Sequence, residues 1–384
     1  MKKLRAQSVV GTLLMASTLV LAACASTQSP GATTSNASSS GSTSYPASFK
    51  TDVATLLGPK GSYQPPPTSA PKVAPGKKIF LISCGQAYLA CSIPMGAAAS
   101  AVKSLGWTPV LVDSKGDPAA MSSGILSAIA QKANGIFMYY IDCDFVKTAL
   151  EQAKAAGIPV VAAESVDCSP PLFAGTVTYA GGDSYLTWVG KWFDAMVEYA
   201  IVAKNGKANM LMFTDNTTQG SLHIAQTGAA VARQCSTCTF HAITFPISDI
   251  GTKLQGETQE ALLKYPNTNV VIVGYEGVLV GGVWAGIQAA GRTDLLVGIG
   301  EGNVAGTALF KQQAGKNMFG SGIPLEWEAY SGIDGLLRII DGAKPLSSGI
   351  GVQLFDATHN APISNRYTAP FNYVALYRQA WGVS

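Results

Sequence analysis

Charge is scarce in this chain: Asp, Glu, Lys and Arg make up 13% of its 384 residues, and 26 basic against 23 acidic side chains leave a formal net charge of +3. So small an excess, with no basic run after the first few residues, provides no electrostatic footprint for nucleic acid. Histidine is scarcer, with three in all. No H-E-x-x-H, P-loop or nucleophile-elbow pattern occurs, so the sequence offers no metal site, no cofactor site and no catalytic constellation. Long apolar runs are missing from the body despite a mean hydropathy of +0.22. The most apolar stretch, residues 269–291, carries Glu276 in its middle and reads as a buried strand followed by a helix. Gly300-Glu-Gly-Asn-Val-Ala305 fits the loose form of a dinucleotide fingerprint, but it lies late in the chain and lacks a clear strand-end acid at the required distance. These absences lead to the expectation that the chain is not an enzyme.

The beginning of the chain is the opposite of its body. Lys2, Lys3 and Arg5 precede an apolar stretch, residues 9–21, that is short for a bilayer span but has the proportions of an export signal. It ends in Leu21-Ala22-Ala23-Cys24-Ala25. These residues resemble a bacterial lipobox, which implies a signal peptide over 1–23 and lipidation of Cys24; the alternative is an ordinary A-x-A cleavage site with a cysteine beside it. More than one acyl chain on Cys24 would make membrane attachment lasting. Residues 24–76 are mostly Ser, Thr, Ala, Gly and Pro, which predicts a flexible tether, with a short docking helix over 45–57 as the alternative.

From Lys77 on, β-branched apolar runs alternate with helical segments. Strands are expected over 79–83, 109–113, 135–141 and 158–163, then, after a long helix over 183–205, over 208–213, 240–245, 270–274 and 295–299. Asp117-Pro118 opens one helix as N-cap and first-turn proline, and Gly157 closes another. The fold class is α/β, with two doubly wound, Rossmann-like parallel-sheet lobes, and about three hundred residues are enough for both. Ligands of such sheets bind outside the carboxyl ends of the strands, here in a cleft between lobes.

Val110-Leu-Val-Asp-Ser-Lys-Gly-Asp-Pro-Ala119, Gly135-Ile-Phe-Met-Tyr-Tyr-Ile-Asp-Cys-Asp-Phe-Val146 and Ala153-Lys-Ala-Ala-Gly-Ile-Pro-Val-Val161 follow one another in order, and Glu276-Gly-Val-Leu-Val-Gly-Gly282 and Val297-Gly-Ile-Gly-Glu-Gly302 come later. In that order and spacing they resemble the ribose-binding branch of the type I periplasmic binding proteins over about residues 77–350. The resemblance implies a three-strand hinge near residues 177–182, 321–325 and 350–355. The N-terminal lobe would be 77–180 plus 325–352, and the C-terminal lobe 181–324 plus 353–384. It also implies a monomeric, extracytoplasmic receptor that takes a small sugar-like solute to the permease subunits of an ABC importer and is held at the membrane by its lipid. The alternatives are a sensor for a kinase or chemoreceptor, or a binder of an amine, nucleoside or ring compound.

Apart from Cys24 there are six cysteines, an even number in an exported chain, for which fifteen pairings are possible. The inferred fold places Cys143 and Cys168 at neighbouring strand ends and leaves Cys84 with Cys91 and Cys235 with Cys238. Cys235-Ser-Thr-Cys238 has redox spacing, but it follows a helix instead of opening one, which favours a structural bridge.

Carried over residue by residue, the family's carboxylate after the fourth strand falls on Glu164, and the arginine that commonly follows falls on Ser165. The second-lobe amide falls on Glu276 and a late aspartate on Glu301. An arginine of the second lobe's first helix falls near Ala225, which leaves His223 or Gln226 as the polar substitute. The first loop brings Gln86 and Tyr88. Asp142 is a further candidate unless it caps its own helix, and of Tyr139 and Tyr140 at least one is expected in the core. Two arginines are lost and carboxylates remain. Either ligand hydroxyls satisfy those carboxylates, or an amine-bearing ligand pairs with them, or one is protonated.

Overall fold

The computed structural model describes residues 44–383; the signal segment, Cys24 and the first part of the expected tether lie outside the described residues. A short helix, α1 (Ser48–Leu56), precedes the first α/β unit. That unit runs β1 (Lys78–Ser83), α2 (Leu89–Ser104), β2 (Thr108–Asp113), α3 (Pro118–Ala130), β3 (Gly135–Tyr139), α4 (Cys143–Ala155), β4 (Val160–Ala163) and β5 (Gly175–Thr176). Its strands form one sheet in the order β2-β1-β3-β4-β5, parallel throughout. β3 and β4 are buried along their whole length, which is why they read as continuous apolar runs and not as alternating ones. The side chain of Asp117 accepts the Ala119 N–H and Pro118 occupies the first turn of α3, as the sequence predicts.

The second unit runs α5 (Tyr185–Ala203), β6 (Asn209–Asp215), α6 (Gln219–Ala232), β7 (Thr239–Phe245), α7 (Leu254–Lys264), β8 (Val270–Val273), α8 (Glu276–Val278), α9 (Trp284–Ala289), β9 (Leu296–Gly298), α10 (Val304–Gln312) and β10 (Met318–Ser321). The chain then makes α11 (Leu325–Ile340), β11 (Leu354–Asp356) and α12 (Tyr373–Trp381). The second sheet has the order β11-β10-β9-β8-β6-β7, with only β11 antiparallel to its neighbour. α11 belongs to the first lobe, where it crosses β3 so closely that a side chain at Gly332 would strike Phe137.

Three crossings link the lobes as expected, and tryptophans of α5 fasten them: Trp188 Nε1 donates to Gly351 O (2.9 Å), and Trp192 Nε1 to Ser321 O (2.7 Å). Tyr179, on the first crossing, stacks on Trp188 with centroids 4.0 Å apart.

Two expected boundaries are corrected. Residues 44–76 are not a free tether. Phe49 and Val53, on one face of α1 at i and i+4, and Tyr45 just ahead of the helix are buried, and α1 packs on α5 of the second lobe. The strap then runs beside the third crossing, where Ser62 N–H donates to Val352 O (2.9 Å), Gln64 N–H to Gly349 O (2.8 Å) and Tyr63 Oη to Gly322 O (3.1 Å). It ends on the first lobe: Arg338 Nη2 donates to Ser69 O, and Trp107 Nε1 to Ala74 O at 2.7 Å. Composition concealed this order, because four well-spaced large residues suffice to anchor a Ser/Pro-rich segment. The chain's end is likewise divided. β11 joins the second sheet, but α12 returns to α11 of the first lobe, where Trp381 Nε1 donates to Asp334 Oδ1 (2.9 Å) and its ring stacks on Tyr330. The lobes are therefore crossed by five segments.

The disulfides are Cys84–Cys91, Cys143–Cys168 and Cys235–Cys238, with Cα atoms 5.7, 5.4 and 5.3 Å apart. The second ties the loops after β3 and β4, and the third lies just past the end of α6.

If α1 is part of the folded body, Phe49→Ala should lower the unfolding free energy by about 3 to 5 kcal/mol. Urea unfolding of the variant measures this, and a midpoint equal to that of the parent would contradict the packing.

Candidate ligand-binding cleft

The carboxyl ends of the strands in both sheets turn towards the same cleft. In the first lobe the chain leaves β3 and β4 through Tyr140 (φ 55°) and Glu164 (φ 47°), both in the left-handed region that side chains normally avoid. Each such residue costs about 1 to 2 kcal/mol, a strain that clusters at working sites. Tyr140 Oη meets Thr218 Oγ1 (3.0 Å) and Ser221 Oγ (3.1 Å) at the start of α6, across the gap between lobes. Asp142 reaches across as well. Its Oδ2 accepts the Gln219 N–H (3.0 Å) and its Oδ1 the Val166 N–H (2.8 Å), while it gives its own helix no side-chain cap. The lobes are thus latched shut by first-lobe side chains on the amino end of a second-lobe helix, where the peptide dipoles favour an anion.

Behind the latch stands a cluster of acids. Glu328 of α11 is wholly buried; its Oε2 accepts the hydroxyl of Tyr139, and its Oε1 has no hydrogen-bond partner. Burial pushes its carboxyl up to about 7 against the opposing effect of that hydrogen bond. Burial, followed by the charge of Glu328, holds Glu164 well above the usual carboxylate range. From the second lobe, Glu301 is raised by burial and then by the charges of Glu276 and Glu164. Glu276 is pushed up to about 7 by burial, although its Oε1 accepts the N–H groups of Gly302 and Asn303 (2.9 Å for the latter) ahead of α10. Gly306 has no side chain, which leaves room for Glu276 against that helix. Asp215, ending β6, accepts Ser221 Oγ and Tyr275 Oη, both at 3.0 Å.

Of the residues singled out from the sequence, Glu164, Glu276 and Glu301 are brought together, and Asp142 serves as the latch. Five others are placed elsewhere. Ser165 is a staple: its hydroxyl donates to Ala163 O (2.8 Å) and accepts the Ile141 N–H (3.0 Å). Gln86 donates to Ser83 Oγ (2.6 Å) within its own lobe. His223 packs towards Gly190 of α5, and Gln226 is exposed, because both lie beyond the first turn of α6, the turn that meets the first lobe. Tyr88 is 50% exposed, with its ring against Gly85. Glu328, Asp215, Tyr275 and Tyr179 were missed. Asp215 carried a usable signal, an acid at the end of an apolar strand; Glu328 carried only its position in a helix otherwise buried almost throughout.

A family model described as the periplasmic binding protein domain matches residues 94–344. The chain belongs to that family. Solved structures agree on the fold. An ABC transporter solute-binding protein from Mycobacterium smegmatis with bound glycerol superposes with a TM-score of 0.64 at 15% identity, covering 76% of this chain and 99% of its own. A solute-binding protein from Agrobacterium vitis with bound allitol gives 0.62 at 17% identity, covering 74% and 96%. The arabinose-binding protein of Shewanella sp. ANA-3 gives 0.62 at 15%, covering 79% and 95%. No curated protein sequence matches. Among the described residues no helix is long and apolar enough to cross a membrane.

Raised carboxyls make this periplasmic binding protein more stable in acid. Glu276 and Glu328 retain protons in the folded state that the unfolded chain releases from about pH 4.5, so their stabilisation is complete below that value and is lost as pH rises through about 7. Asp194 and Glu198 of α5, raised by burial to about 6 and about 7, act in the same direction. Urea unfolding should show a loss on the order of 2 kcal/mol between pH 5 and pH 8, partly abolished in Glu328→Gln. Stability that rises with pH would contradict the assignment.

Proposed function

We propose that the chain is the extracytoplasmic solute receptor of an ABC importer and binds a small polyhydroxylated, sugar-like solute between its lobes. One observation carries this reading: strand-end carboxylates and tyrosine hydroxyls from two separate sheets converge on one closed cleft. Carboxylates accept hydrogen bonds from adjacent hydroxyls, and tyrosine rings offer apolar faces with a polar edge. Glu164 and Glu328 would hold the solute from the first lobe and Glu301 from the second, while Tyr139 and Tyr179 border the same acids. The similar structures hold allitol, glycerol and arabinofuranose, which supports a polyol or sugar here. No catalytic step is assigned to the cleft.

Closure provides the signal to the transporter. Either lobe alone presents half of the polar contacts, so the loaded, closed form differs from the open one in the spacing of the lobe tips that the permease reads. The receptor acts as a monomer and is anchored by lipid on Cys24, a reading that rests on Leu21-Ala22-Ala23-Cys24.

Calorimetry with a panel of polyols and sugars tests the site. Glu164→Ala and Glu301→Ala should each weaken binding about ten- to hundredfold, or roughly 1.5 to 3 kcal/mol. His223→Ala and Gln226→Ala should leave binding unchanged, and solution scattering should show a smaller radius of gyration with solute. Unaltered affinity in both glutamate variants would refute the site.

The anchor has its own test. Cys24→Ser should abolish metabolic labelling with fatty acid and either release the protein or leave it uncleaved. Labelling that persists in the variant would refute the lipobox.

A further inference from the structure

The buried charges of the described residues are very unevenly paired. Arg338 is the only buried basic side chain among them, and it is committed to Asp334 at 2.7 Å. Buried Asp249 pairs with Lys253 at 3.0 Å. The other buried acids, Asp142, Glu164, Asp215, Glu276, Glu301 and Glu328, all stand at the cleft, and none is in an ion pair. Two of them are satisfied by protein donors, Asp142 by two backbone N–H groups and Asp215 by Thr217 N–H and two hydroxyls, and Glu276 is half satisfied, its Oε1 taking two N–H groups ahead of α10 while its Oε2 has no hydrogen-bond partner.

Glu164, Glu301 and Glu328 are not so provided for. Glu301 has only the Asn303 amide, at 3.5 Å, and both Glu328 Oε1 and the hydroxyl of Tyr179 are wholly buried without a hydrogen-bond partner. Tyr139, Tyr179 and Tyr185 stand within electrostatic reach of both Glu164 and Glu328. Carboxylates ringed by tyrosines, with no cation of the protein's own, are the environment that an organic cation satisfies through charge-assisted hydrogen bonds and ring faces. A neutral polyol supplies hydroxyl donors but no charge, so it does nothing to favour the ionised form of the three acids. Among the described residues no group of His, Cys, Asp and Glu is arranged to hold a metal ion, so the fitting cation is organic.

We propose that the solute is cationic: a small polyhydroxylated compound whose protonated amine lies between Glu164 and Glu328 of the first lobe and Glu301 of the second. The proposal rests on the cleft being the solute site and narrows its chemistry. It also fixes the sign of the pH response. An amine needs the acids ionised, so its affinity rises from pH 5.5 to pH 8, whereas a neutral polyol that accepts hydrogen bonds from protonated acids loses affinity over that range. Besides those tyrosines, Tyr140, Tyr275 and Glu276 are within electrostatic reach of these acids, Asp142 and Asp215 stand at the lobe contact beside Tyr140, and none brings a positive charge.

Calorimetry of the full chain at both pH values should compare pentitols and hexitols with their 1-amino-1-deoxy counterparts, whose amines stay protonated through pH 8. The expected result is binding of an amine at least tenfold tighter than its neutral partner, with a wider gap at pH 8. Glu328→Gln, or Glu301→Gln on the opposite lobe if the first variant fails to fold, should erase the preference. A neutral member that binds as tightly as its amine, with affinity falling towards pH 8, overturns the proposal and leaves the cleft as the solute site. Failure of every member to bind at either pH overturns both.

Discussion

Six carboxyl groups removed from water with no basic partner are the constraint around which this molecule is arranged. An isolated buried charge is among the most expensive features a fold can carry, so the chain has to dispose of each one. It does so in two ways. Helix starts and strand-end N–H groups take up some of them, as Gly302 and Asn303 do for Glu276. Where such donors are too few the carboxyls are raised towards neutrality, Glu276 included, and in this way the protonation of the cleft is tied to the stability of the body.

Left-handed backbone at Tyr140 and Glu164 shows where local strain is spent on this arrangement. A parallel sheet buried on both faces has no freedom within its strands, so the chain bends at the first residues past them. At those bends the side chains point between the lobes, and the Cys143–Cys168 bridge joins the two loops that follow. The first lobe therefore presents its acids from a braced frame, while the second closes on it through the amino end of α6.

Much of the architecture was legible in the sequence, because buried parallel strands announce themselves as short β-branched runs. All eight expected strands occur within two residues of their expected bounds, whereas β5 (Gly-Thr), β10 (Met-Phe-Gly-Ser) and β11 (Leu-Phe-Asp) contain no β-branched apolar run to mark them. The acids at strand ends, Glu164, Glu276 and Glu301, were legible for the same reason, since the end of an apolar run fixes their place. Glu328 was not. It sits in mid-helix, and only the tertiary approach of α11 to β3 makes it a neighbour of Tyr139. His223 and Gln226 failed through helix phase: Thr218 and Ser221 occupy the turn at the cleft, while His223 turns onto α5 and Gln226 to solvent. The strap failed because average composition says nothing of a few large apolar residues placed where they can all be buried.

The strap and the returning tail also change what a lobe is in this protein. The first lobe is assembled from the strap's end, residues 77–180, α11 and α12, and the second takes α1 together with everything between. Neither lobe is a continuous length of chain, so no single cut in the gene yields a half receptor that can fold alone. Any opening of the cleft has to bend all five connecting segments together.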